Sequence, residues 1–117
     1  MTDLDISAAL EYTDGDEDML AVVLAAYLEE TPQLIEGIRQ SLATGNAAEV
    51  ERFAHTIQGT TRLFPDSPIR SNATAIEQMA PTENFATAED RLKAIEEGWA
   101  ELSGQINAYL TKRRSAE

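Results

Sequence analysis

Apolar residues recur along this chain at helical spacing, and no stretch alternates apolar and polar residues for long enough to read as a strand. Such a pattern can bury its apolar stripes only by packing helix on helix, so the fold class is all-α. The longest stripe is Leu20, Leu24, Tyr27, Leu28, Leu34, Ile35, Ile38 and Leu42, with Pro32 inside it and Thr31 before it as a possible cap. Either two helices meet at Thr31 or one helix, straight or kinked, runs through Pro32. Phase favours the single helix. Leu24 and Ile35 point within about 20° of each other at ~100° per residue, and a true break would not need to preserve that register. The helix should end near Thr44-Gly45, with Gly45 as its C-cap.

Asn46 then caps a helix expected over Ala47 to Phe64, ended by Pro65 and the turn-like Asp66-Ser67-Pro68. Ile69, Ala73, Ile76 and Ala80 mark a further helix that stops at Pro81, and 81–87 reads as a polar loop. Leu92, Ile95, Trp99, Leu102, Ile106 and Tyr109 form a bundle seam, with Gly98 and Gly104 off it. A short segment from Ile6 to Tyr12 reads as a capping helix, closed by the turn signal Thr13-Asp14-Gly15-Asp16. Short links favour antiparallel neighbours. The expected architecture is therefore an antiparallel up-down four-helix bundle with a short N-terminal capping helix, forming a single domain over residues 1–117.

The chain has 117 residues and no cysteine, which excludes disulfides, thiolate metal sites and cysteine nucleophiles. No basic, apolar leader and no apolar run of membrane-spanning length is present, so a cytoplasmic protein is expected. Met1 and the charged C-terminus point to a whole polypeptide. The formal net charge is -12, and every acidic residue from Asp3 to Glu36 precedes the first basic one, Arg39. Such a field repels nucleic-acid phosphates and anionic lipid, and it also confers solubility. Lys112, Arg113 and Arg114 complement a helix C-terminus rather than forming a nucleic-acid tail. Asn72-Ala73-Thr74 matches a glycosylation acceptor but falls within a helix, and is read as chance.

The chemistry concentrates on His55, the only histidine. Val50, Phe53, Ala54, Ile57, Thr61 and Phe64 share an arc of about 100° on their helix, and His55 points roughly 150° from its centre. The ring should therefore stand in solvent rather than in the core. Glu51, Gln58, Gly59 and Arg62 lie on the same side within one or two turns. Glycine inside a helix costs about 0.5–1 kcal/mol relative to alanine. Close helix packing would justify Gly59 on an inner face. On an outer face, the use of a bare backbone is access to the ring. Gln58 and Arg62 can offer hydrogen bonds and charge to phosphoryl oxygens. A metal site would need a second histidine or cysteine, and there is none; a Ser-His-Asp arrangement would need an acidic orienter at suitable spacing and a glycine-rich oxyanion loop, and the sequence offers neither. No phosphate-binding loop or kinase motif occurs. A lone nucleophilic imidazole without nucleotide machinery suits a passive phosphoryl carrier.

At Ala54-His55-Thr56-Ile57-Gln58-Gly59 the chain resembles the histidine phosphotransfer (HPt) family of two-component phosphorelays, whose motif is His-x-hydrophobic-Lys-Gly after an Ala. The likeness extends through 24–35, with its internal Pro32, and through the link Leu42-Ala43-Thr44-Gly45-Asn46, covering about residues 4 to 110. It implies that His55 is the phosphorylation site and Gly59 the small residue that opens space for the phosphoryl group. Gln58 departs from the usual Lys; Arg62 is the candidate to compensate. The stretch from Thr60 to Asp66 also lacks the Gly-containing segment common in the family. The resemblance implies a monomeric phosphorelay intermediate, a phosphocarrier rather than an enzyme. Its partners would be response-regulator receiver domains and a hybrid sensor histidine kinase, with neither nucleic acid nor membrane involved. It would have no cofactor or metal of its own, magnesium belonging to the partner receiver. Family members dock receivers through apolar side chains, for which Met19 or Val23 are the candidates here. The alternative is a non-phosphorylated helical adaptor.

Overall fold

The computed structural model describes residues 6–64 and 67–115. The described chain forms five α-helices and contains no strand: α1 (Ile6–Tyr12), α2 (Glu17–Thr44), α3 (Ala47–Thr60), α4 (Pro68–Met79) and α5 (Ala88–Ser115). Three-residue 3-10 turns, Thr61–Leu63 and Ala80–Thr82, follow α3 and α4.

Local signals set the ends of these helices. Asp16 caps α2 by accepting the Met19 backbone N–H at 2.9 Å, and Glu17 and Asp18 in the first turn suit the positive helix end. α2 continues through Pro32, which lies on the exposed face, where water can serve the carbonyl that loses its helical donor. Gly45 ends α2 at φ 71°, a left-handed conformation that favours glycine. Its N–H reaches the Leu42 carbonyl and that of Asn46 reaches Ser41, which together make a Schellman cap. Asn46 then caps α3 through the Glu49 N–H at 3.2 Å. With so short a link, α2 and α3 must lie side by side and antiparallel.

The helix expected to Phe64 stops at Thr60, and its last turn tightens to 3-10 geometry. The Thr60 hydroxyl donates to the Ile57 carbonyl, and the Thr61 hydroxyl donates to those of Ile57 and Gln58 (2.9–3.1 Å). The Ile57 carbonyl still accepts the Thr61 backbone N–H as well, so the hydroxyls compete with the backbone for the last carbonyls of the helix. Of the turn residues expected after it, Pro65 and Asp66 lie outside the described residues. Ser67 caps α4, with Pro68 in its first turn. Pro81 does not end α4; the α-helix closes at Met79, and Pro81 sits inside the 3-10 turn that follows.

α2, α3, α4 and α5 make the bundle: α3 packs on α2 and α4, and α5 packs on α4 and α2. Ion pairs Arg39–Glu96 and Arg113–Asp18 join α2 to α5 in antiparallel register. The two long helices have 28 residues each, whereas α3 and α4 have 14 and 12. The short pair therefore covers only about half of the long pair, and α1 lies against α2 and the Thr61–Leu63 turn at the other half. The molecule is accordingly elongated, 50 × 22 × 22 Å. Leu24, Ile38, Ile57, Ile76, Ile95 and Ile106 are fully buried along the shared core. Gly98 is not free of the packing: a side chain there would come within 3.1 Å of Ile69 on α4.

Candidate functional site

α3 fixes His55 by burying the opposite face of the same helix. Val50, Ala54 and Ile57 have no exposed surface, Thr61 and Phe64 are buried, and Phe53 is half-buried. The side chain of His55 is 75% exposed, as its angle around the helix requires. Gly59 follows one turn later on the exposed surface. A Cβ built there would meet nothing within 4 Å, so helix packing does not account for this glycine. The glycine that does serve close packing is Gly37 on α2, where a Cβ would lie 2.6 Å from the Phe53 ring.

The residue that most constrains His55 comes from another helix. The Nδ1 atom lies 2.5 Å from Oε2 of Glu77 on α4, whose side chain is 24% exposed. Ala48, Glu51, Arg52 and Thr56 surround this pair in an open concavity of about 410 Å³. Arg52 brings a cation to it, but that cation is already engaged. It pairs with Glu49 at 2.6 and 3.2 Å and lies 4.3 Å over the Phe53 ring. The same hydrogen bond holds the Glu49 carboxyl below the usual carboxylate range.

The structure divides the expected supporters of His55 into two groups. Gly59 shares its face, whereas Gln58 is half-buried and Arg62 stands exposed on the 3-10 turn. Neither Gln58 nor Arg62 lines the concavity. Tyr27 packs on Phe64, at the end of the same 3-10 turn, with ring centroids 5.8 Å apart. Burial pushes the Tyr27 hydroxyl up to about 12, with the nearby Tyr12 adding to the rise; a backbone hydrogen bond at Leu63 opposes it, as more weakly does Arg62.

Glu77 was not legible in the sequence. Its one signal is position: it follows the buried Ile76 at the border between the core face of α4 and solvent. Of the two expected docking residues, Met19 is 51% exposed and Val23 is half-buried; Val22 is the exposed neighbour, at 65%. Asn72 is buried and hydrogen-bonded to the Pro68 carbonyl and to Arg91, in keeping with a chance glycosylation match. A larger concavity of about 880 Å³ lies between α1, α2 and α5 around the Asp18–Arg113 pair, and no nucleophilic imidazole or thiol lines it. Among the described residues no cluster of His, Asp or Glu could hold a metal ion. Also among them, no helix is long and apolar enough to cross a membrane.

An exposed histidine held mid-helix on an all-α bundle is the arrangement of a phosphotransfer domain. The Hpt domain family model matches residues 22–112, and the chain belongs to that family. Its fold is similar to that of the histidine-containing phosphotransfer protein B (HptB) from Pseudomonas aeruginosa PAO1. The TM-score is 0.84 at 16% sequence identity, covering 93% of this chain and 95% of that one. No curated protein matches in sequence.

Proposed function

We propose that this protein is a phosphorelay intermediate that accepts a phosphoryl group on His55 from a receiver-domain aspartate and passes it to another receiver. The observation that carries the reading is the solvent-exposed imidazole on a rigid helix, with the open backbone of Gly59 one turn away. The Hpt family supplies phosphocarriers rather than kinases, and the sequence has no nucleotide-binding motif.

A ring nitrogen lone pair attacks phosphorus, the P–O bond to the receiver aspartate breaks, and its electron pair returns to the carboxylate. The bundle contributes a preorganised nucleophile. In-line geometry, the metal ion and the acceptor carboxylate belong to the receiver. Gly59 leaves room for the phosphoryl group, and Gln58 and Arg62 contact its oxygens once a partner has docked. The protein acts as a monomer in the cytoplasm, as one domain over residues 1–117, with receivers and a hybrid sensor kinase as partners. Its charge of -12 turns it away from nucleic acid.

One observation favours the second reading, a helical adaptor without phosphorylation: Gln58 stands where the family has Lys, and the cation that lines the concavity, Arg52, is held by Glu49. Incubation with a phosphorylated receiver separates the two. The relay reading expects an acid-labile label that His55→Gln abolishes, with matching loss from the receiver. Binding of several receivers without label would favour the adaptor.

A further inference from the structure

We infer that Arg52 is the cation that binds the phosphoryl group on His55 in the free, undocked carrier, and that it leaves Glu49 to do so. This assignment rests on the relay reading of His55 and adds to it a phosphoryl-binding residue in the turn before the histidine. Helical side chains lean over the turn N-terminal to their own Cα, so the His55 ring sits towards Glu51 and Arg52. The open concavity beside the ring follows that lean: Ala48, Glu51, Arg52 and Thr56 line it, whereas Gln58 and Arg62 do not. Arg52 and His55 are three positions apart on one helix, which makes their side chains neighbours. The carboxylates of Glu51 and Glu77 line the same concavity, so a phosphoryl group on the ring meets two negative groups there. Arg52 brings the guanidinium that can offset them. Gln58 has no charge to offer, and Arg62 lies beyond the end of α3 on the 3-10 turn.

The present hold on Arg52 is of a kind that a phosphoryl group can displace. The guanidinium donates to Glu49 at 2.6 and 3.2 Å, but the two residues form a surface i, i+3 pair with side chains 59% and 39% exposed. Pairs of that kind contribute little. Arg52 lies 4.3 Å over the Phe53 ring, and that ring is packed on Gly37, so it stays in place while the guanidinium turns. A carboxylate offers one charge and two oxygens. A phosphoryl group offers about two charges and three acceptor oxygens, in a geometry that the guanidinium fork matches. Arg52 therefore passes from Glu49 to the phosphoryl group when His55 is phosphorylated, and returns when the group has been handed on. Only hydrogen bonds are exchanged in this move. The Asn46 cap uses the backbone N–H of Glu49, so release of the carboxylate leaves the start of α3 intact.

The test is the equilibrium constant for transfer from a phosphorylated receiver to the full chain, for wild type, Arg52→Ala, Glu49→Gln and the double variant, with melting curves to confirm folding. This constant compares free proteins, so contacts made only in the docked complex cancel from it. Arg52→Ala should lower it about threefold to fivefold, the upper range for an exposed ion pair. Glu49→Gln should raise it roughly twofold, because Arg52 then has no carboxylate to leave. In the Arg52→Ala background, Glu49→Gln should have little or no effect, as a double-mutant cycle requires of a residue that acts through Arg52. A merely structural pair would give the same loss from either side. An unchanged constant in Arg52→Ala, an unchanged or lower one in Glu49→Gln, or an equal rise from Glu49→Gln with and without Arg52 would each overturn the inference. The Arg52 Nε–H resonance should also move when wild type is phosphorylated with phosphoramidate, and a resonance that stays in place would overturn it too. A wild type that takes no label from phosphoramidate or any receiver defeats the relay reading itself, and this assignment with it.

Discussion

Replacing Gly59 by alanine should make the protein more stable and a poorer phosphotransfer partner. Gly59 lies inside α3, and a Cβ there has nothing within 4 Å, so the new methyl costs no steric energy. The helix gains the usual glycine-to-alanine difference, about 0.5–1 kcal/mol. For a domain of this size that raises the melting temperature by roughly 2–4 °C. Leucine at the same position keeps the helix and projects a larger group beside His55. It should slow phosphoryl transfer from a receiver by tenfold or more, because a displacement of about 1 Å in a transfer geometry can cost about a hundredfold. Thermal melts and a time course of label transfer on the same preparations give both numbers. A structural glycine would show the reverse, a lower melting temperature with transfer intact. Either a destabilised Gly59→Ala or a freely transferring Gly59→Leu would refute the view that this backbone is bare for access.

Other substitutions separate the roles assigned above. Gln58→Lys should raise the yield of phosphorylated protein, and Arg62→Ala should lower it, both effects shrinking as salt increases; salt-independent changes would remove charge from the explanation. Ile57→Ala empties a fully buried position on the core face of α3 and should cost about 2–5 kcal/mol by chemical denaturation, against little for a change at the exposed Thr56. The Tyr27 hydroxyl is raised from 10.0 to about 12, so the unfolded chain ionises first as pH climbs. The stability tied to Tyr27 is thus whole below pH 10 and lost as pH rises towards 12. Tyr27→Phe should lose less stability than wild type across that window; identical pH profiles would contradict the burial argument.

What the sequence revealed was rotation about each helix axis. The phase shared by Leu24 and Ile35 carries α2 through Pro32, and the wheel of α3 sets His55 opposite Ala54 and Ile57. Gly45 and Asn46 were readable because their caps are made within a few residues of chain. Relative sliding between helices was not readable, since periodicity carries no information about it. Glu77 meets His55 across 22 positions only because α4 settles at one height against α3. The Gly37–Phe53 and Gly98–Ile69 contacts depend on the same offsets. Local competition explains the smaller errors: threonine hydroxyls tightened the end of α3, and Val22 rather than Val23 faces solvent because the stripe of α2 is wider than its fully buried residues. Within the site, the exposed ring and the bare Gly59 were legible, whereas the partner of the ring was not.

A relay of this kind requires that His55 itself carry the phosphoryl group. Tandem mass spectrometry at alkaline pH, on protein incubated with a phosphorylated receiver, locates that group directly. The expected result is one phosphoryl group, on the peptide that contains His55, absent from His55→Gln and removed by a second, unphosphorylated receiver. A phosphoryl group on any other residue, or an unmodified His55 beside receivers that bind the protein and lose no label to it, would rule out a relay through His55.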